Sequence, residues 1–177
     1  PGRSGHYLAL ESGKAVMRTR EVLCSFFGIR NVMQLVFTKN ATEAINIALK
    51  GYLRPGRHVV ITPMEHNAVI RPLKTLERDI GISIDIIRGN QFGEIDPWEF
   101  RKAVKSNTAL FVSTLSSNVN GTIMPVREIG KIASDLGIPF MVDASQGAGT
   151  LEIDAEEAGI DILAFPGHKC LFGPQGT

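Results

Sequence analysis

Short, almost continuously apolar runs recur along this chain, with segments of helical pattern between them. "HVVIT" (58–62), "ALFVST" (109–114), "PFMVD" (139–143) and "DILAF" (161–165) are the plainest, and "QLVFT" (34–38) and "SIDIIR" (83–88) complete the set. A strand with one face in water alternates apolar and polar residues, whereas a strand covered on both faces stays apolar. Covered strands separated by helices imply a parallel sheet between helical layers, since parallel neighbours need a crossover connection. The expected fold class is therefore α/β, a three-layer α/β/α arrangement with a mostly parallel sheet. The 177 residues, 44% of them hydrophobic, suffice for one such core.

Helix punctuation agrees with this alternation. Residues 7–27 read as an amphipathic helix with Leu10, Val16, Leu23 and Phe27 on one broad face, stopped by Gly28. In "KNATEAINIALKGY", Asn40 is a cap and Glu43 can return the bond. "PMEHNAVIRP" places His66 in a turn that leads to a helix near Pro72. "DPWE" puts Asp96 at a cap, Pro97 at the first helical position and Glu99 where it can reach back. Pro125 opens a further helix that Gly137 ends.

Composition narrows the partners. Lysine and arginine number 19 against 18 acidic residues, so a formal charge of +1 offers no basic field for nucleic acid or anionic membranes. No apolar run approaches the roughly 20 residues of a membrane helix. The two cysteines, Cys24 and Cys170, lie far apart without metal or CxxC spacing, which points to a reducing, cytoplasmic setting and to no metal site. The chain begins at Pro1 and stops inside a Gly-Pro loop, and both ends read as cut, so a fragment of a longer protein is expected.

In parallel α/β sheets ligands bind beyond the carboxyl ends of the strands. The residues delivered there form a set. The helix opening at Asn40 offers amides to a phosphate. His66 follows the second run, Asn118 and Asn120 follow "ALFVST", and Asp143 ends "PFMVD", where an acid needs a cation or donors to offset its desolvation. "DILAF" delivers His168 and Lys169. A lysine amine that loses its proton is a nucleophile for an aldehyde. An anion seat, an imidazole, amide donors, a carboxylate and an amine together match pyridoxal 5'-phosphate, which needs its phosphate held, its aldehyde captured and its ring nitrogen protonated. A dinucleotide site is the weaker alternative, because "GAGTLE" carries Glu152 where the third fingerprint glycine belongs.

"TEAIN", "EHNA", "SNVNGT", "VDASQ" and "GHK", in this order, resemble the large domain of the class V aminotransferase superfamily, of pyridoxal-phosphate fold type I, and most of all its cysteine desulfurase and selenocysteine lyase branch. The resemblance covers nearly the whole chain and implies an aspartate-aminotransferase-like large domain. It divides the sequence into an N-terminal segment and helix (1–30) and an incomplete cofactor domain (31–177), without the C-terminal small domain. It makes Lys169 the Schiff-base lysine, Asp143 the partner of the pyridine nitrogen, and Gln146 a contact of the ring hydroxyl. His66 would stack on the ring and move protons, Asn118 would lie near the ring and the substrate carboxylate, and Ala41, Thr42 and His168 would hold the phosphate. Pro166 stands where the family has serine or threonine and cannot donate, which implies one phosphate hydrogen bond fewer.

The implied reaction takes sulfur from L-cysteine, giving alanine and an enzyme persulfide. Selenocysteine cleavage or transamination on the same scaffold are the alternatives, with a non-catalytic binding module behind them. The sulfur-accepting cysteine of the family lies beyond the lysine, and neither Cys24 nor Cys170 matches it. A homodimer and a sulfur-acceptor protein are the implied partners. The family's sheet also has a seventh, antiparallel strand beyond the "GPQGT" loop, next to "QLVFT"; without it "QLVFT" is expected to lack a sheet neighbour and the 177 residues alone to be unstable.

Overall fold

In the computed structural model, residues 5–176 are described. The elements run α1 (Tyr7–Phe26), a 3-10 turn (Val32–Gln34), α2 (Ala41–Tyr52), β1 (His58–Ile61), α3 (Asn67–Ile80), β2 (Ser83–Ile86), α4 (Trp98–Lys102), β3 (Thr108–Thr114), α5 (Val126–Leu136), β4 (Phe140–Asp143) and β5 (Ile162–Ala164). The five strands form one sheet in the order β2-β1-β3-β4-β5, every pair parallel. The α/β expectation holds, with β1, β3 and β4 almost wholly buried and the edge strand β2 half exposed.

Alternate strand residues enter two separate cores. Val59 and Ile61 of β1, Leu110 and Val112 of β3 and Met141 of β4 pack with Ile45 and Leu49 of α2 and Val69 and Leu73 of α3. Val60, Phe111, Phe140 and Val142 point the other way, toward Phe100, Ile129 of α5 and Phe27 beyond α1. Sheet between helices on both faces is the three-layer arrangement. Gly130 of α5 is demanded by close approach, since a Cβ there would lie 1.8 Å from the carbonyl oxygen of Ala158.

Local expectations fare unevenly. Asn40 caps α2 by accepting the Glu43 amide at 2.8 Å, but Glu43 returns its bond to the Lys39 amide at 2.7 Å rather than to Asn40. Gly137 closes α5 in the left-handed region, as its position predicts. Asp96 accepts the Trp98 amide, yet Pro97 is the cap residue of α4 and Glu99 pairs with Lys102 instead of reaching back. Helix α3 begins at Asn67, five residues before Pro72, because the His66 side chain caps it by accepting the Ala68 amide at 3.1 Å; Pro72 lies inside the helix. On α1, Phe27 at its C-terminal end and Leu23 meet the core, but Leu10 and Val16 are about half exposed.

"QLVFT" is not a strand. Residues 32–34 form the 3-10 turn, and residues 35–38 belong to no ladder. A segment becomes a strand only when a neighbour takes its backbone bonds. Here a mainly apolar cavity of about 1010 Å³, lined by Leu35, Phe37, Leu163, Phe165 and Leu171 among others, stands beside the segment and β5. Among the described residues no helix is long and apolar enough to cross a membrane.

At the opposite end of the sheet, His58 is fully buried. Its Nδ1 lies 2.8 Å from Thr108 Oγ1 and its Nε2 3.3 Å from Asp85, whose carboxylate also meets Lys105 at 2.6 Å. Burial pushes the His58 imidazole below its usual range, with Lys105 adding to the effect and Asp85 opposing it.

Candidate functional site

The carboxyl ends of β1, β3, β4 and β5 open on one cleft of about 290 Å³, at the lower end of small-molecule sites. The chain passes from β1 to β2 on one side and then to β3 on the other, so the sheet order reverses at β1, where α/β folds leave a crevice. The larger cavity near residues 35–38 is mainly apolar and holds neither the lysine nor the buried aspartate.

All eight residues singled out from the sequence line this cleft: Ala41, Thr42, His66, Asn118, Asp143, Gln146, His168 and Lys169. Ala41 and Thr42 open α2, whose first amides have no partner within the helix. His66 is fixed by its cap, which occupies Nδ1 and places the proton of a neutral ring on Nε2. Asp143 is 1% exposed, and its Oδ1 accepts the Ser145 amide at 2.9 Å. Its backbone is locked as well, because the Leu115 and Thr114 side of β3 bonds the Asp143 carbonyl. Lys169 is exposed at the rim rather than partly desolvated, and His168 is exposed beside it. Pro166 is buried in the lining and offers no N–H there.

One residue singled out from the sequence, Asn120, does not line the cleft, and one that was not, Glu65, contacts it. Asn120 turns away to donate to the Phe92 carbonyl at 2.8 Å, and Gly121 at φ 76° completes that turn. Glu65 joins the site unannounced. Its carboxyl accepts from the Thr62 hydroxyl at 2.5 Å and from the Thr114 amide at 2.6 Å. Burial pushes this carboxyl up to about 7, opposed by hydrogen bonding from the Thr62 hydroxyl and from the Thr114 and Thr62 backbone, and helped by the Asp143 charge. Glutamate before histidine in a turn reads as surface; its burial follows from β1 and β3 being neighbours, which no local pattern displays.

An α/β domain whose cleft joins a helix start, a histidine that caps the next helix, a buried aspartate and a lysine fits the pyridoxal-phosphate-binding class. The donor set fits that group: a rim amine, a carboxylate buried at the cleft wall and helix-start amides beside it. The family model described as Aminotransferase class-V matches residues 1–177, and the chain belongs to this family, whose members depend on pyridoxal phosphate.

Among curated relatives, a probable cysteine desulfurase of Methanothermobacter thermautotrophicus is 38% identical over 177 residues, which is 99% of this chain and 44% of that protein. The apo structure of a cysteine desulfurase from Thermococcus onnurineus NA1 superposes with a TM-score of 0.91 at 34% identity, covering 98% of this chain and 44% of the other. The structure of SspA in complex with cysteine gives a TM-score of 0.91 at 29% identity, over 99% of this chain and 51% of that one. The chain thus spans about half or less of the length of the relatives it matches.

Proposed function

We propose that this chain is the cofactor-binding part of a cysteine desulfurase, an enzyme that removes sulfur from L-cysteine and leaves alanine. The observation that carries the reading is the meeting of Lys169, Asp143 and His66 from three separate strand ends in one cleft. Relatives named cysteine desulfurase and a neighbour solved with cysteine favour cysteine over other amino acids. Pyridoxal phosphate, when bound, supplies an aldehyde for amino groups and a protonated ring that draws electrons from the substrate's α-carbon.

The residues divide the work. Lys169 Nζ would hold the aldehyde of the cofactor and would move the α-proton of the substrate. Asp143 uses the oxygen not engaged by Ser145 to keep a proton on the ring nitrogen; its low exposure excludes water that would weaken that pairing. His66 would stack on the ring and move protons, with Nε2 the nitrogen available for this because Nδ1 is committed to the helix. Gln146 donates to the ring hydroxyl, and Asn118 orients ring and substrate carboxylate. Ala41, Thr42 and His168 hold the phosphate, with Pro166 contributing no donor. The protein works as a homodimer in the cytoplasm and passes its sulfur to an acceptor protein; the chain carries an N-terminal segment and helix over 1–30, the first four residues lying outside those described, and the cofactor domain over 31–177.

The test is product analysis. The full-length protein incubated with L-cysteine and a thiol reductant should release alanine and sulfide in equal amounts, and Lys169→Ala should release neither. Conversion of cysteine to a keto acid, with no sulfide, would replace this reading by transamination.

A further inference from the structure

The Glu65 carboxyl is bonded to Thr114, which lines the cleft, and stands next in sequence to His66, which also lines it. It belongs to the turn after β1 that ends in His66, and it reaches across to Thr114, the last residue of β3. Thr114 is in register with Asp143 on β4, so a short path of contacts runs from the histidine turn to the aspartate. Both recorded bonds fall on Oε1, whereas Oε2 is out of solvent and has no hydrogen-bond partner among the described residues. A buried carboxylate oxygen without a donor is costly, and the same oxygen carrying a proton is far less so.

Resting on the cofactor reading above, we infer that Glu65 is a positioning residue of the cleft: protonated, it fastens the His66 turn to the end of β3, and its ionisation loosens that fastening. The turn after β1 presents the Thr62 hydroxyl and backbone, the end of β3 presents the Thr114 amide, and the charge that acts on it is Asp143 from β4. The other titratable groups of the cleft are His66 on its own turn and His168 and Lys169 after β5. Near neutrality the carboxyl is poised between its two forms, since it titrates at about 7. Ionisation leaves charge on Oε2, which is relieved by movement toward water, and that movement carries His66 with it. Cofactor affinity and Glu65 protonation are then linked, each favouring the other.

Glu65→Gln keeps an acceptor at Oε1 and stays neutral at every pH, while Glu65→Ala removes the fastening. Pyridoxal phosphate affinity is measured by fluorescence quenching on the full-length wild type and both variants, from about pH 5.5 to 8.5, which brackets the titration. The groups shared by wild type and Glu65→Gln cancel in the ratio of their Kd values. That ratio should climb at least about threefold as pH rises through 7, with the weak affinity of Glu65→Ala following no such titration. A ratio constant across the range, or a Glu65→Ala protein that binds as wild type does, overturns the inference while leaving the cofactor reading intact. A folded wild type that takes up no pyridoxal phosphate overturns both.

Discussion

A carboxyl that keeps its proton to about pH 7, as Glu65 does, must register in the stability of the fold. Its folded value lies above the ordinary 4.5, so between these values the folded chain binds more protons than the unfolded one. Stability therefore falls as pH rises across that window, by about 3 kcal/mol in all. His58 and Asp85 act in the opposite sense: both are held below their ordinary values, so stability falls as the solution is acidified. Denaturant unfolding of wild type and Glu65→Gln at a series of pH values separates them. The difference between the two proteins should turn against wild type from about pH 4.5 to 7, and a difference that ignores pH would contradict the burial account. Lys169, Asp143 and His66 are legible in sequence because each ends an apolar run or follows one within a short turn; Glu65 is not, because the Thr114 amide that holds it comes from β3, 49 residues further along the chain.

Elements were legible where the chain carries their instructions locally. Asn40, Gly137 and the unbroken apolar runs of β1, β3 and β4 state their roles within a few residues. "QLVFT" has the composition of a strand, but its ladder depends on a neighbour, and it lies beside a cavity instead. The start of α3 differs from the one its proline suggests, because the His66 side chain caps a helix that begins at Asn67, which leaves Pro72 in its interior. Packing between elements has one narrow point, the approach of α5 to the 155–159 segment at Gly130. Gly130→Ala must push helix from carbonyl, and overpacking of this kind costs about 1–3 kcal/mol. Thermal unfolding should show a midpoint lowered by several degrees; an unchanged midpoint would mean that the two segments separate easily.

At the scale of the whole molecule, the order β2-β1-β3-β4-β5 turns four scattered strand ends and the start of α2 into one cleft. The sheet supplies the wall, with Asp143 sunk in it, and the loops supply the rim, with Lys169 exposed there. The proposed reading accordingly assigns the chemistry to the smaller cleft that holds Lys169 and Asp143, and not to the larger, mainly apolar cavity beside β5. It also places the central claim on a single amine. The decisive measurement is borohydride reduction of the full-length protein incubated with pyridoxal phosphate, followed by peptide mass mapping. A pyridoxyl adduct on Lys169, lost in Lys169→Ala, is the predicted result. An adduct confined to other lysines, or none on folded protein, would contradict the account.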